Sequence, residues 1–192
     1  MTTSIDKNYK IRNNLQFEQQ YKMFSSLEPH GCPCGYFGDL YHNCTCSPAM
    51  IQKYISKISG PLLDRVDIHI EVPSLPYKEL ISKATGEPSV KIRDRVNKAR
   101  KSQIERYSGH KNLYCNAQLT QRDLKKYCVL DSTSENLLKL AIEKFGLSAR
   151  AYSRILKVSR TIADIEGAKD ISSAHISEAI QYRTLDRKYW LR

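Results

Sequence analysis

Four of the six cysteines fall in one short stretch, as Cys32-Pro33-Cys34-Gly35 and Cys44-Thr45-Cys46. Where disulfides are disfavoured, clustered thiols point to metal or redox chemistry. Two such pairs flanking a loop with Gly35, Gly38 and Asp39 can set four sulfurs tetrahedrally around zinc, at about 2.3 Å each. The usual zinc pair is C-x2-C and C-x-C is tighter, so a set of small buried thiols in a packed loop stands beside the structural-zinc reading. His42 is a possible substitute ligand. Cys115 and Cys128 stand alone in helical territory and read as core.

Two basic patterns form the other chemical signal. The stretch from Lys91 to Arg106 carries Lys91, Arg93, Arg95, Lys98, Arg100, Lys101 and Arg106 against Asp94 and Glu105, a local net of +5. An outward basic helix of this kind neutralises phosphates and releases their counterions, giving sequence-independent, salt-sensitive DNA binding. Arg93, Arg95, Lys98, Arg100 and Lys101 are the candidate DNA contacts. The rival reading is a solvated face, or a docking surface for an acidic neighbour. Further on, Arg150, Arg154 and Lys157 fall on one helical stripe, opposite Ala151, Ile155, Val158, Ile162 and Ile165. A solvated face accounts for Arg154 and Lys157; Arg150 is the functional candidate.

Composition removes one large class of chemistry. None of the eight glycines is followed by lysine, and the chain holds no Asp-Glu dipeptide. A P-loop needs G-x-x-x-x-G-K-[ST], because backbone N–H groups and that lysine cradle the phosphates. No nucleotide hydrolysis is therefore expected of this chain unaided. The 192 residues make one large domain or two small ones. A formal charge of +11, concentrated beyond residue 60, suits nucleic acid or an acidic partner. No apolar run approaches the roughly 18 residues of a membrane span, and the amino terminus lacks an apolar signal core. A cytoplasmic protein without a membrane partner is the expectation.

The elements that must position these residues are mostly helical. Residues 8–24 read as a weak helix. Ser47-Pro48 starts a helix carrying Met50, Ile51, Tyr54, Ile55 and Ile58, which Gly60-Pro61 ends. Alternation from Arg65 to Val72 predicts a strand with Val66, Ile68, Ile70 and Val72 buried and Asp67, His69 and Glu71 outward. Pro73 to Pro88 reads as a connector. Beyond it come helices at about 90–107, with Ile92, Val96, Ala99 and Gln103 inward, and near Thr120. A third starts at Ser132, where Ser132-x-x-Glu135 predicts a capping box, and ends by Gly146. The last two run from Ser148 to about Glu166 and from about Ser172 to Arg183. The fold class is mainly α: a carboxyl-terminal helical bundle preceded by a small α/β remnant with a Cys-rich loop.

Three ordered motifs carry a resemblance: C-P-C-G-Y-F-G-D from 32 with C-T-C-S-P from 44, S-G-P-L-L-D-R-V-D-I-H-I-E-V-P over 59–73, and S-A-R-A-Y-S-R-I-L-K-V-S-R-T-I-A-D over 148–164. With these, residues 32–190 resemble the magnesium-chelatase-like AAA+ proteins of bacteria, in their competence-protein branch. The resemblance implies that 32–76 is the end of an AAA+ core, 77–89 a linker and 90–192 the helical lid, with 1–31 foreign to the family. In that family a Lon-protease-like domain and the P-loop-bearing core lie upstream. A sensor asparagine is expected before C-P-C-G, and His30 stands there instead.

By the same resemblance Arg65 is the arginine finger, reaching the γ-phosphate bound by a neighbouring subunit of a hexameric ring. A fixed guanidinium suits charge developing on phosphate. Without the resemblance, Asp64-Arg65 would read as a strand-capping ion pair. Arg150 takes the place of the sensor-2 arginine, touching nucleotide in its own subunit, and ATP with magnesium is expected only with a P-loop-bearing partner. The implied function is the finger-and-lid portion of a ring that drives DNA branch migration during uptake of transforming DNA. The alternative is a stand-alone, non-catalytic DNA-binding or ring-assembly module. Magnesium insertion into porphyrin ranks last, since C-P-C-G and C-T-C point away from true chelatase subunits.

Overall fold

The computed structural model describes residues 31–39, 41–57, 66–70, 81 and 86–183. The expected helix at 8–24, the expected sensor position at His30 and the finger candidate Arg65 lie outside the described residues. Six α-helices follow in order: α1 (Pro48–Ile55), α2 (Ser89–Arg106), α3 (Gln121–Tyr127), α4 (Ser132–Phe145), α5 (Ala149–Glu166) and α6 (Ser173–Gln181), with a 3-10 turn at Asn116–Gln118 before α3. The chain is mainly helical, as the apolar spacing predicts.

Most of the helices start on a capping side chain; α2, which follows Pro88 without a side-chain cap bond, is the exception. Ser47 accepts from the Met50 N–H, and Pro48 fills the first turn of α1. Thr120 and Asp123 form a reciprocal capping box at α3, and Ser148 accepts from the Ala151 N–H at 3.1 Å to open α5. The expected Ser132–Glu135 box does not form. Asp131 caps α4 instead, its carboxylate accepting from the Ser134 N–H at 2.8 Å. A charged acceptor one residue earlier outcompetes the Ser132 hydroxyl for the same free N–H groups. Gly146 and Gly167 close α4 and α5 in the left-handed region, at φ 60° and 76°.

The bundle is organised around α5, which packs against α2, α3, the 3-10 turn and α6, while α4 packs on α6. Its inner face supplies Ala151, Ile155, Leu156, Ile162 and Ala163 to a core shared with Tyr107, Leu113, Leu119, Leu124, Cys128, Leu138, Ile171 and Ile176. Each fully buried Ile or Leu adds about 1.5–3 kcal/mol. Cys115 and Cys128 are buried, as expected, and burial pushes the Cys128 thiol up to about 11.

Three expectations are corrected here. Residues 66–70 form no strand: Ile68 and Ile70 are 45% and 65% exposed, whereas His69 is buried. The segment has no neighbouring strand among the described residues; its His69 N–H donates instead to the Tyr182 carbonyl at the end of α6, at 2.8 Å. That inverts the burial an alternating strand would have. The inner stripe of α2 is covered only in its second half, where Ala99 and Gln103 are buried while Ile92 and Val96 stay exposed. Arg106, placed by its charge among outward basic groups, turns into the bundle and donates to Asp164.

Candidate functional site

The cysteine loop is built by two left-handed glycines. Gly35, at φ 85°, lets its N–H reach back to the Cys32 carbonyl at 3.1 Å, and Gly38, also at φ 85°, precedes a second turn from Asp39 N–H to the Tyr36 carbonyl. Asp39 then accepts from the backbone N–H groups of Tyr41 and His42, at 2.6 and 3.2 Å. These N–H groups, Tyr41 first, hold its carboxyl below the usual range. The returning arm of the loop thus brings Cys44 and Cys46 back over Cys32 and Cys34.

The Sγ atoms of Cys32, Cys34, Cys44 and Cys46 all lie within 4.8 Å of one another. Cys32 to Cys34 is 3.2 Å, and Cys44 is 3.6 Å from each. Four sulfurs on a tetrahedral ion at about 2.3 Å would stand about 3.8 Å apart, so little movement closes the shell. The thiols are also electrostatically incomplete. The backbone N–H of Tyr36, with Cys32, draws Cys34 down to about 6. The N–H of Cys46 favours a Cys44 thiolate, but burial and the sulfurs of Cys34 and Cys32 outweigh it and push that thiol up to about 12. A cation in the cage would favour the thiolate form of all four. The donor set fits a metal, and it is compatible with zinc. His42 is not part of this shell: its ring stacks on Tyr36 at 4.7 Å and faces Asp39, so its role as substitute ligand is corrected.

The basic stripe of α5 divides along its length. Arg150 sits in the exposed first turn, beside the helix N-terminus, with no hydrogen-bond or ion-pair partner among the described residues. Arg154 pairs with Asp67, and Lys157 donates to the Ala117 carbonyl at 2.8 Å. Burial lowers the Lys157 pKa against the opposing charge of Asp67. The solvated-face account of Arg154 and Lys157 is therefore corrected: each has a protein partner, Asp67 for Arg154 and the Ala117 carbonyl for Lys157, and of the three cations only Arg150 has none among the described residues. On α2, Arg93, Lys98 and Lys101 are exposed. Arg95 makes a bidentate pair with Glu87, both bonds 2.9 Å, and the half-buried Arg100 donates to Gln103.

Sequence reasoning missed a buried ionic centre where α2, the 3-10 turn and α5 meet. Asp164, whose side chain is fully buried, accepts from Arg106 at 2.9 and 2.5 Å, from Asn116 Nδ2 at 2.8 Å and from Arg160 Nε at 3.1 Å. Arg160 also donates to the carbonyls of Ala168 and Lys169, and Tyr107 donates to Asn116 Oδ1 at 2.6 Å. Burial pushes the Asp164 carboxyl up, but the hydrogen bonds of Arg106 and Asn116 and the charge of Arg160 win, and its pKa is lowered. Burial pushes the Tyr107 hydroxyl up to about 12. A signal was present in the sequence: Arg160 and Asp164 interrupt, at i and i+4, the face on which α5 is otherwise apolar.

The helical bundle and the four-thiol loop before it belong to a carboxyl-terminal portion of a magnesium-chelatase-like AAA+ protein, as the comparisons with known proteins show. Residues 86–183 match the family described as magnesium chelatase, subunit ChlI C-terminal, and residues 6–80 match magnesium chelatase, subunit ChlI. The chain belongs to this family, in the branch of the competence protein ComM and YifB. It is 41% identical over 174 residues to the competence protein ComM of Haemophilus influenzae, covering 90% of this chain and 32% of that protein. It is 37% identical over 180 residues to YifB of Salmonella typhimurium, covering 93% and 34%, and 33% identical to YifB of Escherichia coli over the same length. The chain thus spans about a third of the length of these relatives. The match from residue 6 also takes in most of the segment 1–31, whose expected foreignness is corrected. Among the described residues no helix is long and apolar enough to cross a membrane.

Proposed function

We propose that the chain supplies the arginine finger and nucleotide-sensing lid of a ComM-like AAA+ ring that acts on DNA. The observation carrying this reading is Arg150. In a stripe whose other cations are committed to the fold, one arginine remains outward at the positive end of the long central helix. Free N–H groups, helix dipole and guanidinium there add up to a phosphate-seeking corner. Arg65 completes the pair as the finger offered to the neighbouring subunit, and nucleotide and magnesium come with a P-loop-bearing subunit. Cys32, Cys34, Cys44 and Cys46 would hold a structural zinc that cross-links the loop leading into α1. The DNA role rests on the name of the Haemophilus relative and on the basic face of α2.

The test mixes this chain with a P-loop-bearing magnesium-chelatase-type core whose own finger has been removed. ATP turnover should rise on mixing and be lost with Arg65→Ala or Arg150→Ala in this chain. Turnover unchanged by the wild-type chain refutes the reading. DNA binding without any effect on turnover would instead favour the stand-alone DNA-binding or assembly module, for which the exposed Arg93, Lys98 and Lys101 speak.

A further inference from the structure

The cysteine loop turns rings toward solvent. Among its described residues, Tyr36, Phe37 and Tyr41 are 43%, 43% and 56% exposed, and His42 is exposed as well. The four thiols account for the path of the loop but not for these rings, which contribute little to any core. Each ring nevertheless has a seat. Tyr36 stacks on His42, with centroids 4.7 Å apart and planes 30° apart. Phe37 lies so close to Gly31 that a Cβ there would come within 2.7 Å of its ring. Asp39 accepts from the N–H groups of both Tyr41 and His42 and so fixes the backbone that carries them. Rings seated in this way lose little freedom when a ligand settles on them.

Charge points to the occupant. Asp39 is the one carboxylate among the described residues of 31–57, and its side chain, only 17% accessible, is turned to the backbone of its own loop. The helix that follows, α1, holds no acidic residue and continues into Lys57, so that Lys53 and Lys57 are its exposed charges. A flat, sequence-tolerant ring surface next in the chain to free cations suits unpaired bases on a phosphate backbone. We propose that the cysteine loop is a stacking platform for single-stranded DNA, on which Tyr36, Phe37 and Tyr41 take unpaired bases while Lys53 and Lys57 attract the phosphates. The proposal rests on the DNA reading given above and adds to it a strand type and a site. A base laid on the exposed part of Tyr36 extends a stack that His42 has already begun. The thiol cage then serves to hold the rings in place, and α2 supplies the less selective attraction for phosphate.

The experiment uses the whole chain and follows the binding of a labelled oligothymidylate, and of a labelled duplex, by fluorescence anisotropy over a series of salt concentrations. Tyr36→Ala and Tyr41→Ala should each weaken oligothymidylate binding roughly tenfold, the effect of losing one base–ring stack. Duplex affinity should change less than about twofold, because paired bases keep their faces in the duplex stack. The log-salt slope should stay at its wild-type value, since no phosphate contact is removed. Tyr36→Trp should keep the affinity and Tyr36→Leu should lose it, which separates stacking from apolar docking. Helical circular dichroism and an unchanged thermal midpoint keep folding out of the comparison. Alanine variants that bind oligothymidylate like the wild type, or a wild-type chain that does not bind it, overturn the platform. Equal losses on single strand and duplex, or Tyr36→Leu binding as well as Tyr36→Trp, overturn it too. Tighter binding of oligouridylate than of oligothymidylate transfers the surface to RNA and overturns the DNA assignment. In the mixed ATPase assay, stimulation by the wild-type chain together with undiminished DNA binding by the ring variants defeats the platform alone. Ring-dependent binding without stimulation defeats the proposed motor role and leaves the platform standing.

Discussion

Replacing Asp164 by Asn keeps the shape of the buried centre and removes its only negative charge. Two guanidiniums then share a pocket with no counter-ion. Arg106 keeps 21% of its side chain in contact with solvent and can turn outward, whereas Arg160, at 3%, has only the carbonyls of Ala168 and Lys169 to fall back on. Breaking a buried pair from one side costs about 3–5 kcal/mol, and the partial escape of Arg106 puts this case near the lower end, about 3–4 kcal/mol. For a bundle of this size that lowers the thermal midpoint by about 12–30 °C. Urea unfolding followed by helical circular dichroism at pH 7 measures it. Adding Arg106→Met should return about 1–2 kcal/mol, because one stranded charge is removed with the partner it lost. The pH dependence is a second readout. Asp164 titrates below its ordinary value when folded, so it stabilises above the unfolded pKa of about 3.9, and that contribution disappears as pH falls through the lower folded pKa. Asp123 and Asp131, depressed by Thr120 and Ser134 at their helix caps, act in the same direction. The wild type should be flat from neutral pH to about 4 and weaken below it, and the Asn variant should weaken less steeply. A loss under about 1 kcal/mol, or an unchanged acid limb, would refute the account of the centre as a charge-balanced knot.

Protein purified without chelator should carry near-equimolar zinc by elemental analysis, and Cys34→Ser with Cys44→Ser should abolish it; metal-free protein of unchanged stability would return the cluster to a set of buried thiols. Reversing Arg93, Lys98 and Lys101 to Glu should weaken DNA binding and flatten its log-salt slope by about 2–3 units, since each lost phosphate contact removes about 0.9. An unchanged slope removes α2 from the interface. Gly146→Ala should cost about 1 kcal/mol although nothing crowds the new methyl group, because φ there is 60°. A neutral result by urea titration would show that this end of α4 rearranges freely.

Helix existence was legible because most helices of the bundle carry their own start and stop signals, although α2 has no side-chain cap. Ser148 and Gly167 bracket α5, and Thr120 with Asp123 opens α3. The four thiols were legible because chemistry and spacing coincide in one loop. What escaped was anything decided by a partner distant in sequence. Charge alone cannot tell Arg106, aimed at Asp164 across 58 residues, from its exposed neighbour Lys101. The alternation of 66–70 looks like a strand until the segment docks along the end of α6 rather than along another strand. His42 has the right element for a metal, but stacking on Tyr36 turns it elsewhere.

The Arg106–Asp164 contact also fixes an order of events. Local helices can flicker into being within about a microsecond, but this centre needs α2, the 3-10 turn and most of α5 together, and its last acceptors, Ala168 and Lys169, lie beyond α5. On the ribosome, α2 emerges long before its charged partner and must wait with Arg106 in water. The centre therefore closes late, after the apolar faces have met. Changes there should leave the rate of folding nearly untouched and show up as faster unfolding, so that this knot governs how long the lid stays folded more than how quickly it is made.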